Sequence, residues 1–190
     1  MIKERCSWVG SNPLMIAYHD SEWGTPNHND QKLFEFMVLD AMQAGLSWQI
    51  VLNKRAGFEK ALNGFDIKQV ARLTEADVER LMNDLSIIRN RAKLKATITN
   101  AQKVLEIQKE FGSLDKYLWG FVGGETITNS PKHDSHIAAT SPKGDAMSKD
   151  LVIRGFKFVG PTICHAFMQG AGMVNDHLVS CFRYRELVAA

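Results

Sequence analysis

The chain has 190 residues, of which 45% are hydrophobic and 23% are charged, and its formal net charge is +2. This composition excludes a disordered or fibrous chain and suits one soluble domain with a full core. No segment approaches the roughly 20 apolar residues that span a bilayer. Three cysteines and no signal-peptide pattern favour a reducing compartment. We therefore expect a cytoplasmic monomer without a membrane partner, whose small positive charge permits nucleic acid as a partner.

Helical periodicity dominates the chain from residue 31 to residue 122. Four of the predicted helices follow a residue whose side chain can cap an N-terminus, namely Asp30, Ser47, Asp66 and Thr74. Asp30 and Ser47 predict helices over about 31–44 and 48–62. Asp66 predicts a short helix that ends at about residue 72, and Thr74 predicts one that ends at about residue 83. The longest candidate covers 89–109, and a further helix is predicted from residue 113 to residue 122.

The pattern breaks between residues 123 and 144, where glycine, proline and serine are frequent and a long loop is predicted. Helices are predicted again over about 145–154, 161–171 and 176–183. The first thirty residues read as irregular segments and short helices. Because no segment alternates between apolar and polar residues, the predicted fold class is all-α.

Four metal-binding side chains lie near the two ends of the chain: Cys6 and His19, then His177 and Cys181. Two thiols and two imidazoles suit tetrahedral Zn²⁺. On a helix, His177 and Cys181 would share one face because they are four positions apart. A metal held by both pairs would be structural, since it would join the chain ends. Buried thiols and surface histidines are the alternative that spacing alone leaves open.

Residues 155–160 join two predicted helices, and Pro161 fits the first turn of the second helix. Gly155 suits the end of the first helix, and we expect Gly160 to permit tight backbone geometry. Free N–H groups at the second helix's start can bind an anion, and Arg154 and Lys157 add positive charge. The pattern predicts a helix–hairpin–helix that holds a DNA phosphate, although a simple packing hairpin has the same pattern.

Asp40 is the one acid on the apolar face of the 31–44 helix. A buried carboxylate without a partner is unfavourable by roughly several kcal/mol, so it normally has a hydrogen-bond donor or a function. Burial would also raise its pKa. The alternatives at this point are a bond to a nearby backbone N–H and a role in binding.

Three large aromatic residues lie near a candidate metal ligand or at the start of a predicted helix. Tyr18 and Trp23 flank the candidate ligand His19, and Trp48 is the first residue of the helix that follows Ser47. Together they could line a pocket for a flat ring, and a cationic ring would gain about 0.5–2 kcal/mol per contact. Core packing is the more frequent fate of tryptophan. Trp8 and Trp119 are assigned to the core.

Six motifs in order make the chain resemble the 3-methyladenine DNA glycosylase I family. They are 5–8 (RCSW), 17–24 (AYHDSEWG), 43–48 (QAGLSW), 87–93 (IIRNRAK), 154–160 (RGFKFVG) and 174–177 (VNDH). The resemblance covers nearly the whole chain, and the combination is far more specific than any single motif.

The resemblance implies an all-α helix–hairpin–helix DNA glycosylase fold in one domain, 1–190. Residues 1–30 and 172–190 would form a zinc-clasped terminal subdomain, and 31–171 a helical core with the helix–hairpin–helix at about 145–171. The implied activity is hydrolytic release of 3-methyladenine from alkylated double-stranded DNA after the base is flipped out.

The resemblance also implies roles for individual residues. Asp40 would be the catalytic acid that reads the base, and Tyr18, Trp23 and Trp48 would bind the base. Gly155, Lys157 and Gly160 would contact the DNA backbone. The structural zinc ligands would be Cys6, His19, His177 and Cys181.

Three positions depart from the family's pattern. The pocket acid is usually Glu and here is Asp40, the next polar position is usually Gln and here is Met42, and His165 replaces a Tyr. We expect that His165 could supply a polar group to the pocket. The altered pocket also admits an alternative function, a non-catalytic zinc-stapled protein that binds DNA or a modified base.

Overall fold

A computed structural model describes residues 3–189, and the described chain is mostly helical, with 63% helix and 2% strand. The helices are α1 (Pro13–Ser21), α2 (Asp30–Gln43), α3 (Trp48–Ala61), α4 (Ile67–Val70), α5 (Glu75–Met82), α6 (Arg91–Phe111), α7 (Leu114–Trp119), α8 (Pro142–Ile153), α9 (Pro161–Gly170) and α10 (Phe182–Val188). No helix within these residues is long and apolar enough to cross a membrane.

Local capping chemistry sets several of the helix ends. The side chains of Ser47 and Asp66 accept hydrogen bonds from the first turns of α3 and α4. Thr74 and Asp77 form a reciprocal capping box on α5. Gly112 ends α6 at φ 89°, a conformation that favours glycine. These predictions from sequence are confirmed.

Helix α2 is the centre of the molecule. It contacts α3, α6, α7 and α9, and its side chains Leu33, Phe34 and Leu39 are fully buried. Burying a side chain of this size stabilises the fold by roughly 1.5–3 kcal/mol. The polar residues of α2 therefore have a fixed position relative to four other helices.

The prediction that Asp30 caps α2 is wrong. Asn29 is the capping residue, and its Oδ1 accepts from the backbone N–H of Lys32. The Asp30 carboxylate instead accepts the N–H groups of Leu114 and Asp115, at 2.9 Å each. The carboxylate therefore caps α7, because tertiary packing brings the start of that helix against it.

Two further boundaries differ from prediction. Helix α8 begins at Pro142 and not at 145, because Ser141 caps it and proline fits the first turn. Helix α7 ends at Trp119 and is followed by a 3₁₀ turn, Gly120–Val122. The expectation of no strand also needs correction, since β1 (Ile127–Thr128) pairs in parallel with β2 (Val174–Asn175).

The predicted helix over 176–183 is wrong as well. Residues 176–181 are irregular, and α10 begins only at Phe182. The backbone N–H groups of this segment bond elsewhere: Val179 N–H donates to Pro131 O, and Leu178 N–H donates to Cys6 Sγ. Long-range partners replace the i−4 carbonyls of a helix.

Candidate functional site

Helices α1, α2, α3 and α9 line a cavity of about 230 Å³ that is open to solvent. All four residues predicted to read and bind a base line it: Tyr18, Trp23, Asp40 and Trp48. Their positions span 30 residues of sequence, so the packing of α2 against its neighbours brings them together. The cavity is smaller than the roughly 300–1,000 Å³ of sites for drug-sized ligands, which suits one small ring system.

Asp40 lies in the wall of this cavity and is 6% exposed. Burial raises its pKa well above the usual value for an aspartate. Within residues 3–189 no side chain or backbone group donates a hydrogen bond to its carboxylate. The alternative of a satisfied backbone contact is thereby removed, and the carboxylate is available to a ligand.

Aromatic rings form the rest of the wall. The ring centroids of Tyr18 and Trp48 are 5.1 Å apart. Burial, followed by the negative charge of Asp40, raises the pKa of Tyr18, so its hydroxyl keeps its proton and can donate. Trp23 meets Trp8 edge-on with ring centroids 5.0 Å apart.

The cavity is also lined by five residues that the sequence analysis did not assign to it: Trp8, Gln43, Ile137, Ala166 and Gln169. Trp8, which the sequence analysis assigned to the core, is half-buried: it packs against the core and also lines the cavity. Ile137 comes from the long loop between α7 and α8. No local signal in the sequence marks Ile137 or Gln169, since neither has neighbours of matching chemistry.

Two residues that the sequence connected with the pocket lie outside its wall. Met42 of α2 is fully buried in the hydrophobic core, and Gln43 is the polar residue of α2 that lines the cavity together with Asp40. His165 is also buried, and its Nδ1 lies 3.0 Å from Ser141 Oγ.

The turn that carries Trp48 is held by a buried lysine. Lys93 Nζ of α6 donates to the backbone oxygens of Met42 and Ala44, at 2.8 and 2.6 Å. A cation at the C-terminal end of α2 also interacts favourably with the helix dipole. Gly45 follows at φ 78°, which turns the chain towards α3.

The connection between α8 and α9 is fixed by side chains from two helices. Asn100 Oδ1 accepts from the N–H of Lys157 and Asn100 Nδ2 donates to its carbonyl, at 2.8 and 2.9 Å. Ser148 Oγ donates to Val159 O at 2.6 Å. Between them Phe158 adopts φ 55°, a region that residues other than glycine rarely occupy. These bonds offset the strain at Phe158.

The two glycines of this connection play different roles. Gly155 follows α8 at φ 91°, as its position in sequence predicts. Gly160 has φ −64°, which other residues also adopt, so its backbone does not use the conformational freedom expected of glycine here. A side chain at Gly160 would meet no atom within 4 Å, which leaves the backbone at the start of α9 open to approach.

The predicted metal ligands come together although the helix predicted for two of them does not form. Cys6, His19, His177 and Cys181 are all buried, and their ligand atoms lie within 4.8 Å of one another. Cys181 Sγ is 3.5 Å from His19 Nε2 and 3.6 Å from His177 Nδ1. Cys6 Sγ is 3.6 Å from the same His177 nitrogen. This cluster can hold a metal ion.

The other nitrogen of each histidine has a partner of its own. His19 Nδ1 lies 2.8 Å from Asp20 Oδ1, and Asp20 is itself held by two nitrogens of Arg5. His177 Nε2 lies 2.9 Å from Trp23 O. Such partners orient the imidazole ligands of metal sites, and they leave His19 Nε2 and His177 Nδ1 directed at the two thiols.

Comparison with known proteins agrees with this architecture. The family model for methyladenine glycosylase matches residues 8–184. DNA-3-methyladenine glycosylase 1 of Escherichia coli K12 is 46% identical over 95% of this chain and 97% of its own. A crystal structure of 3-methyladenine DNA glycosylase I (TAG) matches with a TM-score of 0.92 and 45% identity, over 94% of this chain and 98% of its own.

A second solved structure is a tyrosine-to-phenylalanine variant of 3-methyladenine DNA glycosylase I in complex with 3-methyladenine. It has a TM-score of 0.91 and 34% identity, over 94% of this chain and 96% of its own. The family match covers far more than half of the chain and includes every residue that lines the cavity. The chain belongs to the methyladenine glycosylase family.

Proposed function

We propose that this protein is a DNA base-excision-repair glycosylase that flips 3-methyladenine out of alkylated DNA and releases it by hydrolysing the N-glycosidic bond. The observation that carries the proposal is Asp40, a buried carboxylate without a protein donor, in a cavity lined by aromatic rings. Curated relatives with 42–46% identity over most of the chain bear the name of this activity.

The chemistry of the lesion matches the cavity. Methylation at N3 gives the base a positive charge, which makes it a good leaving group and reduces the need for acid catalysis. We propose that the flipped base stacks on Trp48, with Tyr18 and Trp23 completing the pocket. Each well-placed aromatic face would contribute about 0.5–2 kcal/mol to binding a cationic ring.

We propose that Asp40 reads the base through its N–H groups and its charge. Burial disfavours the ionised carboxylate in the free protein, and a cationic base would restore it. Neutral adenine lacks that compensation and would bind more weakly. Because Asp40 is one methylene shorter than Glu, the base must lie deeper in the cavity or contact Asp40 through water.

We propose that the segment from α8 to α9 is a helix–hairpin–helix that holds the DNA backbone beside the lesion. Support comes from the open backbone at Gly160, the exposed Lys157 and the N-terminus of α9, whose first N–H groups can bind a phosphate. Gly155 would let the chain enter this hairpin. Double-stranded DNA is the partner that this arrangement fits.

We propose that the Cys/His cluster holds a structural Zn²⁺. A tetrahedral zinc with Zn–S of about 2.3 Å and Zn–N of about 2.0–2.1 Å sets neighbouring S and N ligands about 3.6 Å apart. The S–N separations of 3.5–3.6 Å between Cys181 and the two histidines fit that value. Four protein ligands leave no position for a water, so the ion would stabilise the chain ends. Thiolate ligands also favour a reducing, cytoplasmic location.

The test is an excision assay on methylated double-stranded DNA, with chromatography of the released bases. Wild type should release 3-methyladenine, and Asp40→Asn should lower kcat/KM by about 10- to 150-fold, since a charge-assisted contact contributes about 1.5–3 kcal/mol. Asp40→Glu, the family's usual residue, is the matched control and should retain activity. Methylated DNA from which the wild-type protein releases no base would contradict the proposal.

A further inference from the structure

Gln169 of α9 lies in the cavity wall, and one side of its amide is committed to a partner outside the cavity. Its Nε2 donates to Asp176 Oδ2 at 2.7 Å. Its backbone carbonyl accepts from the N–H of Gly24 at 2.9 Å, which ties the same residue to the segment after α1. Both ends of the residue are therefore anchored.

The chemistry of Asp176 decides which way the amide faces. Asp176 is 3% exposed, and its other oxygen accepts from Asn129 Nδ2 at 2.7 Å. Its Oδ2, which lies 2.7 Å from Gln169 Nε2, is also 3.6 Å from His165 Nε2. Both oxygens of the Asp176 carboxyl group therefore act as acceptors, one for Asn129 and one for Gln169, and Gln169 presents its NH₂ group to Asp176.

This orientation leaves the amide oxygen of Gln169 for the cavity. Within residues 3–189 no group donates to Oε1. The adjacent Gly170 packs so closely on Tyr18 that a Cβ there would lie 3.0 Å from the tyrosine hydroxyl. The phenol and the amide therefore occupy one wall of the cavity, and Gln169 is an acceptor whose orientation is already set before a ligand enters.

We propose that Gln169 Oε1 accepts a hydrogen bond from the exocyclic amino group of the flipped base and is a specificity-determining residue for aminopurines. The inference rests on the proposed function. An acceptor held in this way favours a base with an N–H donor at that edge, and it disfavours a base that carries a carbonyl oxygen there. Asp40 supplies selection by charge, and Gln169 supplies selection by the pattern of donors.

The experiment measures calorimetric Kd values for two free bases, 3-methyladenine and 3-methylpurine, which carries hydrogen in place of the amino group. The variants are wild type, Gln169→Met and Asn129→Ala. Methionine has nearly the length of glutamine without the amide oxygen. The Asn129 variant disturbs Asp176 but leaves the contact with Gln169, so it is the matched control.

We expect Gln169→Met to weaken 3-methyladenine binding about 3- to 10-fold, the effect of one neutral hydrogen bond, and to leave 3-methylpurine binding unchanged. The Asn129→Ala control should keep the wild-type ratio of the two Kd values. Equal weakening of both bases, no weakening, or the same selective loss in the control would overturn the inference alone. A wild-type protein that binds neither base would overturn the proposed function with it.

Discussion

Replacing Cys181 with alanine tests whether the Cys/His cluster is a metal clasp between the chain ends. The contact between Cys6 and His177 joins residues 171 positions apart. A cross-link that closes a loop of this length stabilises a protein by about 5 kcal/mol in the chain-entropy model. This contribution equals the lower limit of the free energy of unfolding that is typical of domains, roughly 5–15 kcal/mol.

The expected change in melting temperature follows from that free energy. For a chain of about 150–250 residues, 1 kcal/mol corresponds to roughly 2–4 °C, so Cys181→Ala should lower Tm by about 10–20 °C. The matched control is Cys164→Ala. This thiol is also buried, 2% exposed against 0% for Cys181, but it lies outside the cluster. The two variants lose the same atoms, but Cys164→Ala loses a hydrogen bond from Sγ to Val159 O at 3.2 Å, whereas Cys181→Ala loses one member of the cluster.

The assay combines thermal melting with metal analysis by mass spectrometry. Wild type and Cys164→Ala should each carry one zinc per chain, and Cys181→Ala should carry much less. A chelator should lower the Tm of wild type and leave that of Cys181→Ala unchanged. Wild-type protein without stoichiometric metal, or equal Tm values for the two cysteine variants, would refute the reasoning.

The other predictions concern burial and backbone support. Burial raises the pKa of Asp40 above 3.8, so the stability of the wild-type protein should fall as pH rises through the folded-state pKa. Asp40→Asn has no carboxyl group to ionise and should not show this fall. The Tm of the variant relative to wild type should therefore increase with pH in melting curves. A Tm difference independent of pH would contradict this. Gly57→Ala places a Cβ 2.2 Å from a backbone oxygen and should cost about 1–3 kcal/mol in denaturant titrations, whereas Gly120→Ala, with nothing within 4 Å, should cost far less. Asn100→Leu leaves the N–H and carbonyl of Lys157 unpaired and should weaken DNA binding about 10-fold by fluorescence anisotropy while free 3-methyladenine binds normally; parallel loss of both would argue for general unfolding.

Signals that act over three or four residues are readable from the sequence. Ser47, Asp66 and the Thr74–Asp77 pair cap helices where their spacing predicts, because a capping side chain reaches only the first turn. Gly112 ends α6 for an equally local reason, its positive φ. The all-α class, which these ends imply, is therefore largely a property of local sequence.

Residue type and order also identify much of the site. Asp40 on an apolar face stands out in the sequence, as do the three aromatic residues and the four candidate metal ligands. Their chemistry is unusual for their surroundings: an acid among apolar residues is costly without a partner, and two thiols with two imidazoles match one ion. Resemblance to a family then relates them to one activity.

Only the tertiary structure decided which groups meet and which way they face. Asp30 caps α7 instead of α2, and His177 and Cys181 converge from an irregular segment instead of a helix. Gln169 joins the cavity because a buried Asp176 orients its amide. The physical reason is the range of the interactions: a cap or a turn depends on adjacent residues, whereas a cavity wall or an ion cluster depends on packing between segments far apart in the chain.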